Sequence, residues 1–217
     1  MTSEAGDQRT GGDGPPACAV VLAAGGSRRL GRPKQLVLLG GRPALQHVLD
    51  AVAAAGIERS VLVLGHLADE VAAAVRLPPG MGTVVNRDHA SGQASSLRAG
   101  LAAAPEGAGA AVVLLGDQPG VRPEAIRAVV DCWRRAGASI VRARYAGRPG
   151  HPVLLAREVW EEAMSARGDR GARDLIAADP ARVAAAEVGG APPGDLDTRE
   201  DLARLAAAWP PDQPKGT

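Results

Sequence analysis

Short apolar runs alternating with helical stretches predict an α/β fold. The expected form is a three-layer α/β/α, Rossmann-like, mostly parallel sheet with an antiparallel hairpin insertion. Three observations carry this. The runs ACAVVLAA and AAVVLL are apolar at every position, as strands covered on both faces must be. The stretches between such runs are long enough for a crossover helix. After residue 139 the alternation breaks, because two apolar runs are joined only by AGRPG, which is too short for a crossover.

In order, residues 17–24 (ACAVVLAA) read as a buried strand and 43–55 as an amphipathic helix. Residues 59–64 (RSVLVL) read as a strand, 67–75 as a helix, 83–85 as a short strand and 95–104 as a helix. Residues 110–115 (AAVVLL) form a second buried strand, and 123–135 a helix with proline in its first turn. Residues 139–145 and 151–155 make the hairpin, followed by helices over 157–166 and 171–178. A last strand is expected at 182–187 and a closing helix at 198–209, where Thr198 and Asp201 have capping-box spacing. Residues 17–209 therefore read as one domain between polar, Gly- and Pro-rich tails at 1–16 and 210–217, both expected to be disordered.

Composition narrows the function. A net charge of +1 argues against a dedicated nucleic-acid binder. No apolar run is long enough to span a membrane, and the N-terminal residues have no apolar core of a secretory signal. Cys18 and Cys132 have neither metal nor disulfide-scaffold spacing and read as reduced, buried thiols, so a cytoplasmic location is expected. The chain has two lysines, Lys34 and Lys215, and one asparagine, Asn86. Such scarcity of residues with A/T-rich codons looks like genome bias, and a lysine or asparagine kept against it draws attention to Lys34 and Asn86.

Ligands of open parallel sheets bind beyond the carboxyl ends of the strands. Three loops there carry unusual chemistry. The first reads AAGGSRRLGRPKQ: Ala23, Ala24, Gly25, Gly26 and Ser27 give close backbone approach, and Arg28, Arg29, Arg32 and Lys34 give positive charge, which together suit a polyanion. It has neither GxxxxGK[ST] nor GxGxxG, so it is neither a Walker loop nor a dinucleotide fingerprint. The second, Gly116-Asp117-Gln118-Pro119, sets a carboxylate at a strand end, where it could hold Mg²⁺ against phosphates or simply shape a turn. The third holds Asp195 and Asp197, on one face if extended, with helix capping by Asp197 or Thr198 as the competing role.

VVLAAGGSRRLGRPKQLVLLGGRP resembles the N-terminal signature of nucleotidyltransferases with the sugar-nucleotide-transferase fold. NRDHASGQASSLRAGL, LLGDQPGV, GRPGHPVLL, GDRGARDLI and DLDTREDL follow in the order seen in molybdenum cofactor cytidylyltransferases and close relatives. The resemblance spans residues 19–205 and implies transfer of CMP from CTP to molybdenum-bound molybdopterin, with Mg²⁺ as cofactor. It implies that Arg29 and Lys34 embrace the triphosphate and that Asn86, Gly92, Gln93, Ser95 and Ser96 hold base and ribose. It further implies that Asp117, Asp195 and Asp197 hold the metal, and that Gln118, Pro119, His151 and the segment 168–173, with Gly171 and Ala172, shape the acceptor pocket. Ala23-Ala24-Gly25 is closer to CTP-using than to GTP-using members. The expected partners are small molecules, an NTP and a phosphorylated pterin, with transient contact to a molybdoenzyme or its chaperone, and neither nucleic acid nor membrane.

The chemistry fits these residue types. Donor and acceptor are both anions, so the barrier is one of charge and alignment. A compact ammonium at Lys34 can act as a point charge where a guanidinium would be too broad. No general base is needed, because a phosphate acceptor is already ionised. Transfer from GTP to another phosphorylated acceptor, a nicotinamide-nucleotide oxidoreductase on the same scaffold, and a non-catalytic nucleotide-binding chaperone are the alternatives. His47 reads as a packed residue and His66 as a candidate border of the base pocket. His89 lacks the partners of a triad, and Trp133, Trp160 and Trp209 read as packing residues. Tyr145, the only tyrosine, sits either at the acceptor pocket or in the core.

Overall fold

The structure is a computed structural model that describes residues 14–26, 33–165, 167–168 and 172–209. Most of both expected tails falls outside the described residues. Strand β1 (Ala17–Leu22) opens the fold; after a 3-10 turn at Lys34–Leu36, the small pair β2 (Leu38–Leu39) and β3 (Arg42–Pro43) leads into α1 (Ala44–Ala54). Then come β4 (Ser60–Leu64), α2 (Ala68–Ala74), β5 (Met81–Val85), α3 (Gln93–Ala102), β6 (Ala110–Leu115) and α4 (Pro123–Ala136). The chain continues through β7 (Ile140–Tyr145), β8 (Arg148–Ala156), α5 (Trp160–Ser165), α6 (Arg173–Ala178), β9 (Val183–Val188) and α7 (Arg199–Ala208).

One seven-stranded sheet runs in the order β5-β4-β1-β6-β8-β7-β9. All its pairings are parallel except those made by β8, which is antiparallel to both β6 and β7. The chain builds outward from β1 through β4 to β5, then returns to lay β6 on the other side of β1. That reversal makes β1/β6 the switch point, where a crevice opens at the carboxyl ends.

The period of two along a strand divides the core. Ala19, Val21 and Ala23 pack on one face with α1 and α4 residues such as Leu45, Leu49, Ile126 and Val129. Cys18, Val20 and Ala24 pack on the other with Leu97, Leu101, Trp160 and Leu175. The three layers follow. Gly100 lets α3 lie close on β1, since a Cβ there would stand 2.4 Å from Val20 Cγ1 and 2.9 Å from Val63 Cγ2. Gly100→Ala is expected to destabilise the protein by about 1–3 kcal/mol through overpacking. Equilibrium urea unfolding checks this, and an unchanged midpoint would contradict the close approach.

Differences from the expected elements are local. The hairpin between β7 and β8 turns on two residues rather than five, with Ala146 at φ 46° and Gly147 at φ 80°. Positive φ at both centres gives the primed turn that matches strand twist, so Arg148, Pro149 and Gly150 join the ladder. β2 and β3 were not expected, although Gly40-Gly41 between them is a hairpin signal. The helix expected over 157–166 begins as a 3-10 turn at Arg157–Val159 before α5. Thr198, not Asp197, caps α7: its hydroxyl accepts from Asp201 N while the Asp201 carboxylate accepts from Thr198 N. Capping therefore leaves the Asp197 side chain for other work. Among the described residues no helix is long and apolar enough to cross a membrane.

Candidate functional site

A cavity of about 890 Å³ opens at the switch point. Ala23, Ala24, Gly25 and Gly26 line it after β1, and Lys34 and Gln35 come from the 3-10 turn. His66 and His89 stand at one side with ring centroids 6.0 Å apart, Gly92, Gln93 and Ser96 come from the start of α3, and Asp117 follows β6. His66, a candidate border of the base pocket, lines this cavity, and His89 lines it too.

Lys34 is the centre of the arrangement. Its ammonium donates to Asp117 Oδ2 and, over 2.9 Å, to Asp197 Oδ1. Asp197 reaches this point because Leu196 is fully buried and its N–H donates to the Asp117 carbonyl over 3.0 Å. Burial pulls the Lys34 ammonium down, but the charges and hydrogen bonds of Asp117 and Asp197 outweigh it and hold it above its ordinary value. Burial pushes the Asp117 carboxyl up, with Lys34 opposing and the neighbouring Asp195 and Asp197 adding to the rise.

The expected metal trio is only partly assembled. Among the described residues no group of three or more His, Cys, Asp or Glu side chains is gathered that could hold a metal. Lys34 lies between Asp117 and Asp197, while Asp195 accepts a 2.7 Å hydrogen bond from Gln118 Nε2. Crowded carboxylates repel, and the ammonium and amide relieve that repulsion. The donor set still suits a hard divalent cation: Asp117 feels both other carboxylates, and an ammonium already sits between two of them.

Not every expected nucleotide contact lines the cavity. Asn86 is 6% exposed and spends its side chain on the loop: Nδ2 donates to Ser95 Oγ at 2.8 Å and Ser96 Oγ at 3.1 Å, and Oδ1 accepts from Asp88 N. Ser95 donates to the Asp88 and Gly92 carbonyls. Asn86 and Ser95 are thus positioning residues that hold the start of α3, whereas Gly92, Gln93 and Ser96 face the cavity. Gln35, which the sequence reading passed over, is 2% exposed and donates to the Ala23 and Gly25 carbonyls, fixing the glycine loop. Ser27, Arg28, Arg29 and Arg32 lie outside the described residues.

A smaller pocket of about 220 Å³ adjoins, sharing Gln93 and lined also by Gln118, His151, Ala172 and Asp195, with Arg142 and Arg173. Of the expected acceptor residues, Gln118, His151 and Ala172 are there; Pro119 is buried in its turn and lines neither cavity, and Gly171 lies outside the described residues. The β7–β8 register jumps from Arg142↔Val153 to Ala143↔Gly150, which leaves His151 and Pro152 as a bulge. Tyr145 donates to the His151 carbonyl at 2.7 Å and is 1% exposed, so it holds the bulge from within the core.

Burial, with Arg142 and Arg173, pulls the His151 imidazole down to about 4, with Asp195 opposing. The folded protein keeps His151 neutral, so its stability is full above the ordinary imidazole range and falls as pH drops toward 4. Between about pH 7 and 4.5 the wild type is expected to lose about 2–3 kcal/mol more stability than His151→Gln. Urea unfolding at both pH values measures it; parallel losses would refute a buried neutral His151.

The remaining candidates are structural. His47 Nε2 pairs with the Leu39 carbonyl at 2.9 Å and its ring packs 5.2 Å from Trp209. Trp160 donates to the Leu155 carbonyl, and Trp133 packs against the core. Both cysteines are free and buried, and burial pushes the Cys18 thiol up to about 11.

Comparison with known proteins places the chain in a family and a fold. The family model described as "MobA-like NTP transferase domain" matches residues 19–184. Nicotine blue oxidoreductase of Paenarthrobacter nicotinovorans is 33% identical over 201 residues, which cover 89% of this chain and 98% of that protein. The crystal structure of Rv0371c from Mycobacterium tuberculosis H37Rv superposes with a TM-score of 0.80 at 36% identity, over 89% of this chain and 98% of that one. A crystal structure of Rv0371c in complex with manganese superposes with a TM-score of 0.76 at 33% identity, covering 89% and 99%.

Proposed function

The chain belongs to the MobA-like NTP transferase family, a nucleotidyltransferase by type, and from that premise we propose that it transfers CMP from CTP to molybdenum-bound molybdopterin. An acceptor phosphate oxygen would attack the α-phosphorus, a new P–O bond forming as the bond to pyrophosphate breaks. The observation that carries this reading is the Lys34 ammonium held by Asp117 and Asp197 on the wall of a cavity floored by a glycine turn.

The chain's own groups have distinct tasks. The backbone of Ala23–Gly26, tethered by Gln35, would take the phosphates, and the α3 start fixed by Asn86 would take base and ribose. Lys34 would meet the charge that grows between the α-phosphate and the departing pyrophosphate. Asp117 and Asp197, with Asp195 beside them, would hold Mg²⁺, which supplies positive charge against phosphate oxygens when bound. The manganese complex of the related Rv0371c supports a divalent cation in this fold.

The test is to incubate the protein with Mg²⁺, molybdopterin and each of the four NTPs and to follow pyrophosphate. CTP-dependent release is expected. A GTP preference would move the assignment to guanylyl transfer, and no release with any NTP would overturn transfer to this acceptor.

A second reading has one observation in its favour, the near full-length likeness to a protein named nicotine blue oxidoreductase. On that reading the same cavity takes a nicotinamide nucleotide and a dye replaces the pterin. The absence of GxGxxG and the three carboxylates beside the phosphate loop weigh against it. Rapid, metal-independent oxidation of NADPH with a dye acceptor would establish it over the transferase reading.

A further inference from the structure

The smaller pocket carries more positive charge than the fold can use. Arg142 reaches it from β7 and Arg173 from the first position of α6. Arg142 Nε is buried with no hydrogen-bond partner among the described residues. An unsatisfied buried donor is costly, and a second guanidinium on the same wall adds repulsion. Burial and then the charge of Arg173 hold the Arg142 guanidinium below its ordinary value, and both arginines disfavour the charged form of His151. Among the described residues Asp195 is the one carboxylate on the wall, and its Oδ1 is already engaged by Gln118. Gln118 is 7% exposed, and its Oε1 is also buried without a partner among the described residues.

We propose that this pocket is a phosphate subsite for the acceptor, with a phosphate monoester group lying between Arg142 and Arg173 and a neighbouring N–H or O–H of the acceptor donating to Gln118 Oε1. The proposal rests on the transferase reading and deepens it by naming what part of the acceptor is recognised. A phosphate suits the wall better than a carboxylate. The two guanidiniums come from different elements, and a tetrahedral dianion can present oxygens to both, whereas a planar carboxylate is satisfied by one fork. Gln93 belongs to both walls, so the subsite adjoins the nucleotide cavity.

The test uses the full chain with labelled histidine rings, inorganic phosphate as probe, and neither nucleotide nor metal. The four histidines sample different places: His66 and His89 the nucleotide cavity, His47 the contact with Leu39 and Trp209, His151 the subsite. Phosphate is expected to move the His151 signal saturably and leave His47 still. Arg142→Gln and, on an exposed residue that leaves the core intact, Arg173→Gln are each expected to weaken that binding by roughly tenfold or more. Acetate is expected to bind more weakly than phosphate. Shifts confined to His66 and His89, unchanged affinity in Arg173→Gln, or acetate binding as tightly as phosphate would each overturn the proposal. No NTP enters the test, so the transferase reading stands or falls separately, on pyrophosphate release.

Discussion

Replacing Asp117 by asparagine is expected to slow pyrophosphate release by roughly a hundred- to a thousandfold, the usual cost of removing one charged group from such a site. Asparagine keeps the shape but brings a neutral amide where Lys34 and any cation need a carboxylate. The fold should persist. The backbone carbonyl of residue 117, which accepts from Leu196 N, is untouched, and burial with two neighbouring carboxylates already disfavours charge at this position. The measurement is steady-state pyrophosphate release beside the unfolding curve. Wild-type turnover in Asp117→Asn would remove Asp117 from the reaction.

Lys34→Met should lose both activity and stability. Transfer is expected to fall by about two to three orders of magnitude. Stability is expected to fall by about 3 kcal/mol at neutral pH, because Asp117, whose side chain is 16% exposed, is left charged beside Asp195 and Asp197. Loss of Lys34 removes the main group that lowers the Asp117 carboxyl, so its folded value rises further. The variant then recovers part of its stability as pH falls and that carboxyl takes a proton. Adding Asp117→Leu should restore stability without restoring transfer. Lys34→Arg separates charge from shape: it should keep most of the stability and lose turnover, and normal turnover would defeat the point-charge role.

The buried strands were legible because unbroken apolar runs such as AAVVLL have few other solutions. Residues 110–115 form a strand with the bounds the sequence suggests. Lys34, Asp117 and the strand-end loops were legible because scarce or charged residues after apolar runs fall at the ligand edge of such sheets. Less visible was how these side chains satisfy one another. Nothing local in LLGDQPGV says that Gln118 will turn to Asp195, and nothing local in NRDHASGQ says that Asn86 will spend its side-chain amide on Asp88, Ser95 and Ser96. Arg142 was invisible for another reason: the arginines of IVRARY alternate as on any strand with one covered face, and only the β8 bulge and α6 build a pocket around it.

The Lys34 cluster joins parts of the chain far apart in order of synthesis. Lys34 is separated from Asp117 by 83 positions and from Asp197 by 163. A ribosome that has released β1 through β6 and the turn after it has delivered the glycine turn, Lys34 and Asp117, while Leu196 and Asp197 are still to come. The nascent protein can therefore acquire a sheet before it acquires a complete cluster. The stretch ahead of α7 acts as a clasp that fastens last, so that the assembled site marks a chain translated almost to α7.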